Sequence, residues 1–344
     1  MKVDDFLALP APEREAIFNK VAAENGMSAF AVEKDWWVSR SLEVVFGMKI
    51  SEHLVFKGGT SLSKAWKLIQ RFSEDIDLAI DRKFFGFSES DISNSGIKRL
   101  RKEAGAYTSG IFLSDVKNAF VRNGFLNLDI HCDEPKESDQ DPRIIEIHYP
   151  NVIPLPSAYI QPRVQIEISC RSLIEPFTDK EIISLVDEVF AGREFTRPAF
   201  NIPSVLPERT FLEKLCLLHE EFQRPPGKIR VNRLSRHLYD VYQLARSGIG
   251  KNALADKELY EAIVFHRFRF SKVSGVDYRF HHPHHLNPVP SDEIAEAWKA
   301  DYARMKEEMI YGHPKPEFEE LMAHLKIVQA KLKEVKWNFE LNFA

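Results

Sequence analysis

The sequence predicts an α+β fold, in which a sheet with flanking helices is followed by a helical domain. Runs that alternate apolar and polar residues, typical of half-buried strands, recur at residues 126–132, 143–148 and 163–169. Residues 4–48 have the longer period of helices, as does the chain from about Thr178 onward. Strands grouped ahead of helices favour an α+β fold over an alternating α/β fold.

Length and proline content predict how this fold is divided. A chain of 344 residues is long enough for one large or two ordinary domains. Prolines interrupt helix formation between residues 192 and 207. We therefore expect one domain over residues 1–190, with the sheet and the N-terminal helices, and a helical domain over residues 191–344.

Composition bounds the class of protein. The chain is 44% hydrophobic and 28% charged with a net charge of −4, which is typical of a soluble globular protein. Without a basic excess, nucleic-acid binding would have to use local patches. Three isolated cysteines favour a reducing compartment, and no signal peptide or membrane-length apolar run is evident. We expect a cytoplasmic protein.

The first 48 residues read as two helices ahead of the sheet. Ser28 is a candidate N-cap for the second helix, which carries several large apolar side chains. The EKDWWV run at residues 33–38 fits an amphipathic helix packed on the sheet. We therefore expect this helix to support the sheet.

A glycine turn at residues 58–59 follows a short apolar strand at residues 54–56. Glycine takes positive φ and lets backbone N–H groups approach an anion, and a helix N-terminus adds partial positive charge. The next residues supply further donors, so the turn has the layout of a phosphate cradle, although Gly-Gly turns are often purely structural. The candidate phosphate-binding residues are Gly58, Gly59, Thr60, Ser61 and Lys64.

Paired aspartates follow on the next apolar strand. Asp75 and Asp77 are two residues apart, so both side chains leave the same face of the strand. Adjacent carboxylates repel each other unless a cation compensates them. The pair therefore predicts a site for a hard divalent cation, Mg²⁺ or Mn²⁺, which would align a triphosphate.

The order of these motifs resembles a known family. Residues 57–64 (KGGTSLSK), joined to residues 71–78 (RFSEDIDL), are similar to the AbiEii/AbiGii toxins of the DNA-polymerase-beta-like nucleotidyltransferase superfamily. The resemblance extends over nearly the whole chain. It implies a nucleotidyltransferase-type mixed sheet, an NTP bound with magnesium, and a toxin of a toxin–antitoxin or phage abortive-infection system, with a cognate antitoxin as partner.

The resemblance also implies a third carboxylate, from a strand near the aspartate pair. Glu167 is our choice, as a metal ligand and as the base that takes the acceptor proton. Asp129 and Glu146 stay open as alternatives, because each is an acid on the polar face of a predicted strand. Glu167 stands where many relatives have aspartate, which leaves its role as base less certain.

Later motifs complete the implied site. Carried over from the family, Lys214 would bind the nucleotide phosphates, and Asp240 would hold Lys214 or the nucleotide. Arg236 and His237 are weaker candidates for phosphate or acceptor contact. Each lies on a predicted helix, where a surface ion pair is the structural alternative.

Three further features receive weaker interpretations. Ser73 is a candidate nucleotide contact, and phosphorylation there would place negative charge beside the acid pair. The basic cluster at residues 98–102 would suit a triphosphate or an RNA backbone, or is a solvated helix face. The HHPHH run at residues 281–285 lacks the ligand spacing of a zinc site.

The function predicted from these residues and the resemblance is transfer of NMP from an NTP to an RNA acceptor, the 3′ end of tRNA, by a cytoplasmic toxin. One alternative is a transferase of the same fold that modifies a protein or small molecule, or makes a signalling nucleotide. Another alternative is a non-catalytic module that binds nucleotide for regulation.

Overall fold

The computed structural model describes residues 3–73, 75–88, 93–154, 161–225, 227–341 and 343. The chain forms two compact units. The first unit comprises Met1–Ala65 and Phe72–Val205, and the second comprises Trp66–Arg71 and Leu206–Ala344. No helix in the described part of the chain is long and apolar enough to cross a membrane.

The first unit is a seven-stranded mixed sheet with helices. The predicted α+β class, with a sheet and flanking helices followed by a helical part, is confirmed. In chain order its elements are α1 Ala11–Asn25, α2 Ala29–Phe46, β1 Leu54–Lys57, α3 Gly58–Thr60, β2 Asp75–Ile80, α4 Asn94–Tyr107, α5 Leu113–Arg122, β3 Asp129–Cys132, β4 Arg143–His148, β5 Arg163–Ser169, β6 Phe177–Ile182, α6 Leu185–Val189 and β7 Phe200–Val205.

The strands lie in the order β3-β4-β5-β2-β1-β7-β6. Strand β2 is central, antiparallel to β1 and parallel to β5. Its Ile76, Leu78 and Ile80 are buried, while Asp75 and Asp77 are half-buried and alternate with them. The sheet therefore has one apolar face and, at β2, one face that carries carboxylates.

Helix α2 packs on the apolar face against β2 and β5. Ser28 is its N-cap, as predicted, and accepts a hydrogen bond from the Ala31 N–H at 3.2 Å. Trp36 and Trp37 are fully buried. Glu33, from the same run, is also buried, and its carboxylate accepts the backbone N–H groups of residues 152 and 153. Such partners offset the cost of burying a polar group.

The second unit is helical. Its helices are α7 Pro207–Phe222, α8 Ser235–Arg246, α9 Ile249–Ala255, α10 Lys257–His266, α11 Asp292–Glu308 and α12 Phe318–Lys333. Pro207 is the first residue of α7, where its missing N–H costs nothing. The segment Trp66–Arg71 joins this unit, since the backbone N–H of Tyr311 donates to the Gln70 carbonyl at 3.1 Å.

The expectation of helices from about Thr178 onward is wrong for its first part. Strands β6 and β7 occupy this stretch and pair antiparallel, so the first unit extends past residue 190 to Val205. Strand β6 lies at the sheet edge and is mostly exposed, so it lacks the apolar alternation that marks a strand. Pro203 is tolerated in β7 because β7 pairs with β1 at a single residue pair, so few ladder hydrogen bonds are needed on that side.

Candidate active site

The glycine turn is packed directly on the aspartate strand. Gly58 has a φ of +78°, which side-chain-bearing residues rarely adopt. A Cβ atom at Gly58 would lie 1.9 Å from Oδ2 and 2.7 Å from Cγ of Asp77. Glycine is thus required here for two reasons, its backbone conformation and the closeness of the Asp77 carboxylate. The turn and this carboxylate form one local structure.

Three candidate carboxylates share one face of the sheet. Asp77 is the direct partner of Glu167 in the parallel pairing of β2 and β5, and Asp75 is the partner of Gln165. Cross-strand partners lie on the same face, on strands about 4.8 Å apart. All three acids are half-buried. The structure therefore brings Asp75, Asp77 and Glu167 to one face of two neighbouring strands.

The two alternative third acids lie on strands further from β2. Glu146 is on β4 and Asp129 is on the edge strand β3, so they lie two and three strands from β2. The Glu146 carboxylate already accepts from Gln165 at 2.9 Å and pairs with Arg163 at 2.7 Å. Of the three candidates, Glu167 alone is on a strand hydrogen-bonded to β2.

The hydroxyls of the turn have different environments. Thr60 is buried, and its Oγ1 bonds to Ser73 Oγ at 2.9 Å and to the Asp75 carbonyl. These bonds tie the turn to the start of β2. Ser61 is also buried, and its Oγ makes no hydrogen bond to a described residue. A buried hydroxyl without a partner is costly, which favours Ser61 as a ligand contact.

Lys64 is engaged in an ion pair within the first unit. Its Nζ donates to Asp35 Oδ1 on α2, and both side chains are nearly buried. The other oxygen of Asp35 accepts the backbone N–H of Leu185 at 2.9 Å. The positive charge of Lys64 is therefore compensated locally. Asp35 was not identified as its partner from the sequence, because their 29-residue separation leaves no local signal.

The predicted residues of the second unit lie in one buried charge cluster. Asp240 on α8 is fully buried and accepts from Arg71 Nε at 2.7 Å and Arg71 Nη2 at 2.8 Å. Lys214 Nζ on α7 lies 2.9 Å from Asp240 Oδ2. Two cations thus share one carboxylate, and the bidentate Arg71 contact fixes its orientation. The catalytic roles of Lys214 and Asp240 stay predictions.

Burial shifts the pKa values of this cluster, and the neighbouring charges act against it at Asp240 and mainly with it at His237. Burial opposes ionisation of Asp240, but Arg71 and Lys214 outweigh it and lower the Asp240 pKa. Burial lowers the pKa of Lys214, with Asp240 acting against it. Burial also lowers the pKa of His237 well below its ordinary value, helped by Lys214 and Arg236. His237 Nδ1 lies 3.3 Å from Lys214 Nζ.

Arg71 is the residue of this cluster that our sequence interpretation left without a role. It stands four positions before Asp75 in the motif, yet it belongs to the second unit and binds Asp240 there. Arg71 and Lys214 give two cations on one aspartate, and Arg236 lies near enough to lower the pKa of Lys214, so the environment is net positive and suits a phosphate group. The only sequence signal was its place in the motif.

The two weaker sequence features have ordinary environments. Arg99 on α4 is largely exposed and lies 3.8 Å from Glu103 one turn on, as in a solvated helix face. His281 in the HHPHH run is buried, and its Nε2 lies 3.3 Å from Glu220 Oε1. Its Glu220 partner also binds Arg267. The run therefore contains at least one histidine with a structural role.

The donor set on the acid face fits a hard divalent cation. Carboxylate oxygens are the ligands that Mg²⁺ prefers, and they come here from neighbouring strands of a rigid sheet. The turn at Gly58, with the unpartnered hydroxyl of Ser61, adds groups that suit a phosphate ester. A glycine turn beside an acid face suits an enzyme that transfers phosphate esters.

Comparison with protein families identifies this enzyme class more closely. Residues 48–324 match the family described as "Nucleotidyl transferase AbiEii toxin, Type IV TA system". The chain belongs to this family, whose members are nucleotidyltransferases and toxins of type IV toxin–antitoxin systems. The matched segment contains the glycine turn, the acid face and the second-unit cluster. A search of curated protein sequences found no significant match.

Two solved structures resemble the chain at low identity. MenT4, a nucleotidyltransferase toxin from Mycobacterium tuberculosis H37Rv, is 15% identical with a TM-score of 0.48, over 93% of this chain and 99% of its own. JHP933 from Helicobacter pylori is 16% identical with a TM-score of 0.41, over 88% of this chain and 93% of its own. Similarity at this level defines neither a substrate nor a site for this chain.

Proposed function

We propose that this protein is a magnesium-dependent nucleotidyltransferase that transfers NMP from an NTP to the 3′ end of tRNA, and that it acts as a cytoplasmic toxin held in check by a cognate antitoxin. The observation that carries the proposal is the packing of Asp77 on the Gly58 turn, with Asp75 and Glu167 on the same face of the sheet. Family membership supports the nucleotidyl-transfer chemistry and the antitoxin partner.

Each residue of the first unit has a proposed role. Asp75, Asp77 and Glu167 would hold Mg²⁺, which when bound neutralises charge on the triphosphate and on the leaving pyrophosphate. Glu167 would also accept the proton of the attacking hydroxyl. Gly58, Gly59 and Ser61 would orient the phosphates, Thr60 and Ser73 would fix the turn to β2, and Lys64 would add positive charge at the turn.

The second unit would supply charge for the leaving phosphates. Lys214 and Arg236 would bind them, and Asp240 with Arg71 would hold Lys214 in place. Positioned cations of this kind stabilise charge that develops as pyrophosphate leaves. We propose an RNA acceptor because some members of the family that the chain resembles add nucleotides to the 3′ end of tRNA. We propose that the protein acts in the cytoplasm because NTPs and tRNA are there.

Incubation of the purified chain with each α-labelled NTP and total RNA tests the proposal. We expect Mg²⁺-dependent label on tRNA-sized RNA, no label when the 3′ end of the RNA has been oxidised with periodate before the reaction, and no label with Asp77→Asn. Label on protein alone, or on a small molecule alone, would contradict the RNA acceptor and favour the same-fold alternatives. Growth arrest that survives Asp77→Asn unchanged would favour the non-catalytic module.

A further inference from the structure

A second group of metal-ligand side chains lies on the sheet, at the β3–β4 hairpin. His131, Glu146 and His148 offer ligand atoms that all lie within 4.8 Å of one another. Glu146 Oε2 is 2.8 Å from His148 Nε2 and 3.7 Å from His131 Nε2. One carboxylate oxygen therefore faces the Nε2 atoms of two imidazoles. Glu146 is nearly buried, and the two histidines are partly exposed.

The spacing of these atoms is compatible with a tetrahedral ion, and the 2.8 Å contact between His148 Nε2 and Glu146 Oε2 is also that of an ordinary hydrogen bond. Ligands held at 2.0–2.1 Å around tetrahedral Zn²⁺ lie about 3.4 Å from one another. The two distances at Glu146 Oε2 are on either side of this value. The distance from His131 Nε2 to Glu146 Oε2 is too long for a hydrogen bond. The rings of His131 and His148 are nearly parallel, with centroids 5.1 Å apart. Small side-chain rotations would bring all three atoms onto one ion.

Neighbouring side chains orient these three ligands. The other oxygen of Glu146, Oε1, accepts from Gln165 Nε2 at 2.9 Å and pairs with Arg163 at 2.7 Å, so Oε2 is left to face the histidines. His131 Nδ1 lies 3.5 Å from Asp129 Oδ2, which favours Nε2 as the free ligand atom. Metal sites in proteins have such outer partners, which fix ring orientation and tautomer.

This group is separate from the proposed catalytic acids, although it lies on the same face of the sheet. Asp75, Gln165, Glu146 and His131 are successive cross-strand partners on β2, β5, β4 and β3. With strands about 4.8 Å apart, Glu146 is about 10 Å from Asp75. Paired catalytic ions lie only about 4 Å apart. The imidazole donors also favour Zn²⁺ over Mg²⁺, which selects oxygen ligands.

We propose that His131, Glu146 and His148 form a zinc site that joins the edge strand β3 to β4. The ion takes Nε2 of both histidines and Oε2 of Glu146, and a water molecule completes the tetrahedron. Strand β3 is only four residues long and lies at the sheet edge. A cross-strand ion therefore stabilises a short strand pairing at the edge of the sheet.

Metal titration of the tag-free, metal-stripped full chain tests this proposal. We expect one equivalent of Zn²⁺ to bind in competition with a chromogenic chelator, to raise the melting temperature, and to persist in millimolar Mg²⁺. Co²⁺ in place of Zn²⁺ is expected to give the intense visible absorption of a tetrahedral ion. The His131→Gln, His148→Gln double variant should lose more than about 100-fold in Zn²⁺ affinity, since changes to outer partners alone cost up to that much.

Histidine pairs elsewhere supply the matched control. The rings of His282 and His284 are 4.7 Å apart in the second unit, so a His282→Gln, His284→Gln variant removes two neighbouring histidines but should keep the zinc affinity. The site would be overturned if the control variant alone lost zinc binding. It would also be overturned if the His131→Gln, His148→Gln variant kept zinc binding and gave the same Co²⁺ spectrum as the wild-type chain. Absence of zinc binding by the wild-type chain would overturn it too, and would leave an ion-pair network around Glu146. None of these results depends on transfer activity.

Discussion

The two regions that hold the predicted site residues handle charge in different ways. In the first unit, half-buried carboxylates face one side of a sheet beside a glycine turn. In the second unit, a fully buried carboxylate is compensated by Arg71 and Lys214. The first arrangement offers oxygen ligands that suit a divalent cation, whereas the second already holds two cations against its carboxylate. We therefore expect substitutions in the first unit to act on chemistry, and those in the second unit to act on stability as well.

Among substitutions that leave the carboxylates themselves unchanged, Gly58→Ala is expected to have the largest effect on transfer. A methyl group at residue 58 would displace the Asp77 carboxylate, and misplacement of a catalytic group by about 1 Å can lower the rate about 100-fold. The strained φ would also cost about 1–2 kcal/mol of stability. The rate of NMP transfer and the melting temperature, both measured on the variant and the wild-type chain, test the two effects.

Gly86→Ala is the matched control for Gly58→Ala. Gly86 has a φ of +74°, but nothing lies within 4 Å of a Cβ atom built there. It should lose similar stability and keep its transfer rate. Equal activity losses in the two variants would mean that backbone strain, and not the Asp77 contact, explains the effect.

In the second unit, Asp240→Asn is expected to destabilise the fold by about 3–5 kcal/mol. The change leaves Arg71 and Lys214 buried without their counter-charge, and an uncompensated buried charge lowers the free energy of unfolding. Urea unfolding measures the loss. Unchanged stability would contradict the compensating role of Asp240.

The ion pairs of Asp240 with Arg71 and Lys214 also predict how stability depends on pH. The Asp240 pKa is lowered in the folded protein, so its contribution to stability is complete above the ordinary value of 3.8 and is lost as pH falls toward the folded pKa. Stability measured across this acid range should fall more steeply for the wild-type chain than for Asp240→Asn. Parallel curves would contradict the lowered pKa.

A smaller and more selective effect is expected for Lys214→Met. Asp240 would keep its bidentate contact with Arg71, so the fold should lose less stability than in Asp240→Asn. Loss of the cation should weaken NTP binding about tenfold, equivalent to about 1.4 kcal/mol. Equilibrium binding of a non-hydrolysable NTP measures it, with the exposed Lys251→Met as control. A large drop in melting temperature with unchanged affinity would assign Lys214 a purely structural role.

Lys64→Met should have the smallest effect on nucleotide use. Its charge is shared with Asp35, so removal should raise the KM for NTP only about threefold while lowering the melting temperature. Steady-state transfer kinetics give the KM. An unchanged KM would limit Lys64 to its ion pair.

Local patterns predicted much of the first unit. The alternation in residues 143–148 and 163–169 predicted β4 and β5, and the spacing of Asp75 and Asp77 predicted that they share a face. Strand β6 was missed because an exposed edge strand needs no apolar alternation. Its partner β7 was missed because prolines in this stretch favoured a linker.

Contacts between distant residues were beyond the sequence. The Arg71 contact with Asp240 joins residues 169 apart, and nothing in either segment indicates it. The His131, Glu146 and His148 group depends on the register of β3 and β4, which a one-residue slip would destroy. Asp129 and Glu146 were considered only as acids. Alternation within β4 already places His148 on the same face as Glu146, but only the register brings His131 opposite Glu146.

The most direct test of the acid face is NMP transfer by Asp77→Asn beside Asp129→Asn at saturating Mg²⁺. Both changes remove one negative charge from a strand carboxylate, but only Asp77 contacts the Gly58 turn. We predict that Asp77→Asn lowers the transfer rate by about 100-fold or more, with the fold intact, and that Asp129→Asn keeps it. Transfer retained in Asp77→Asn, or lost equally in both variants, would contradict the account.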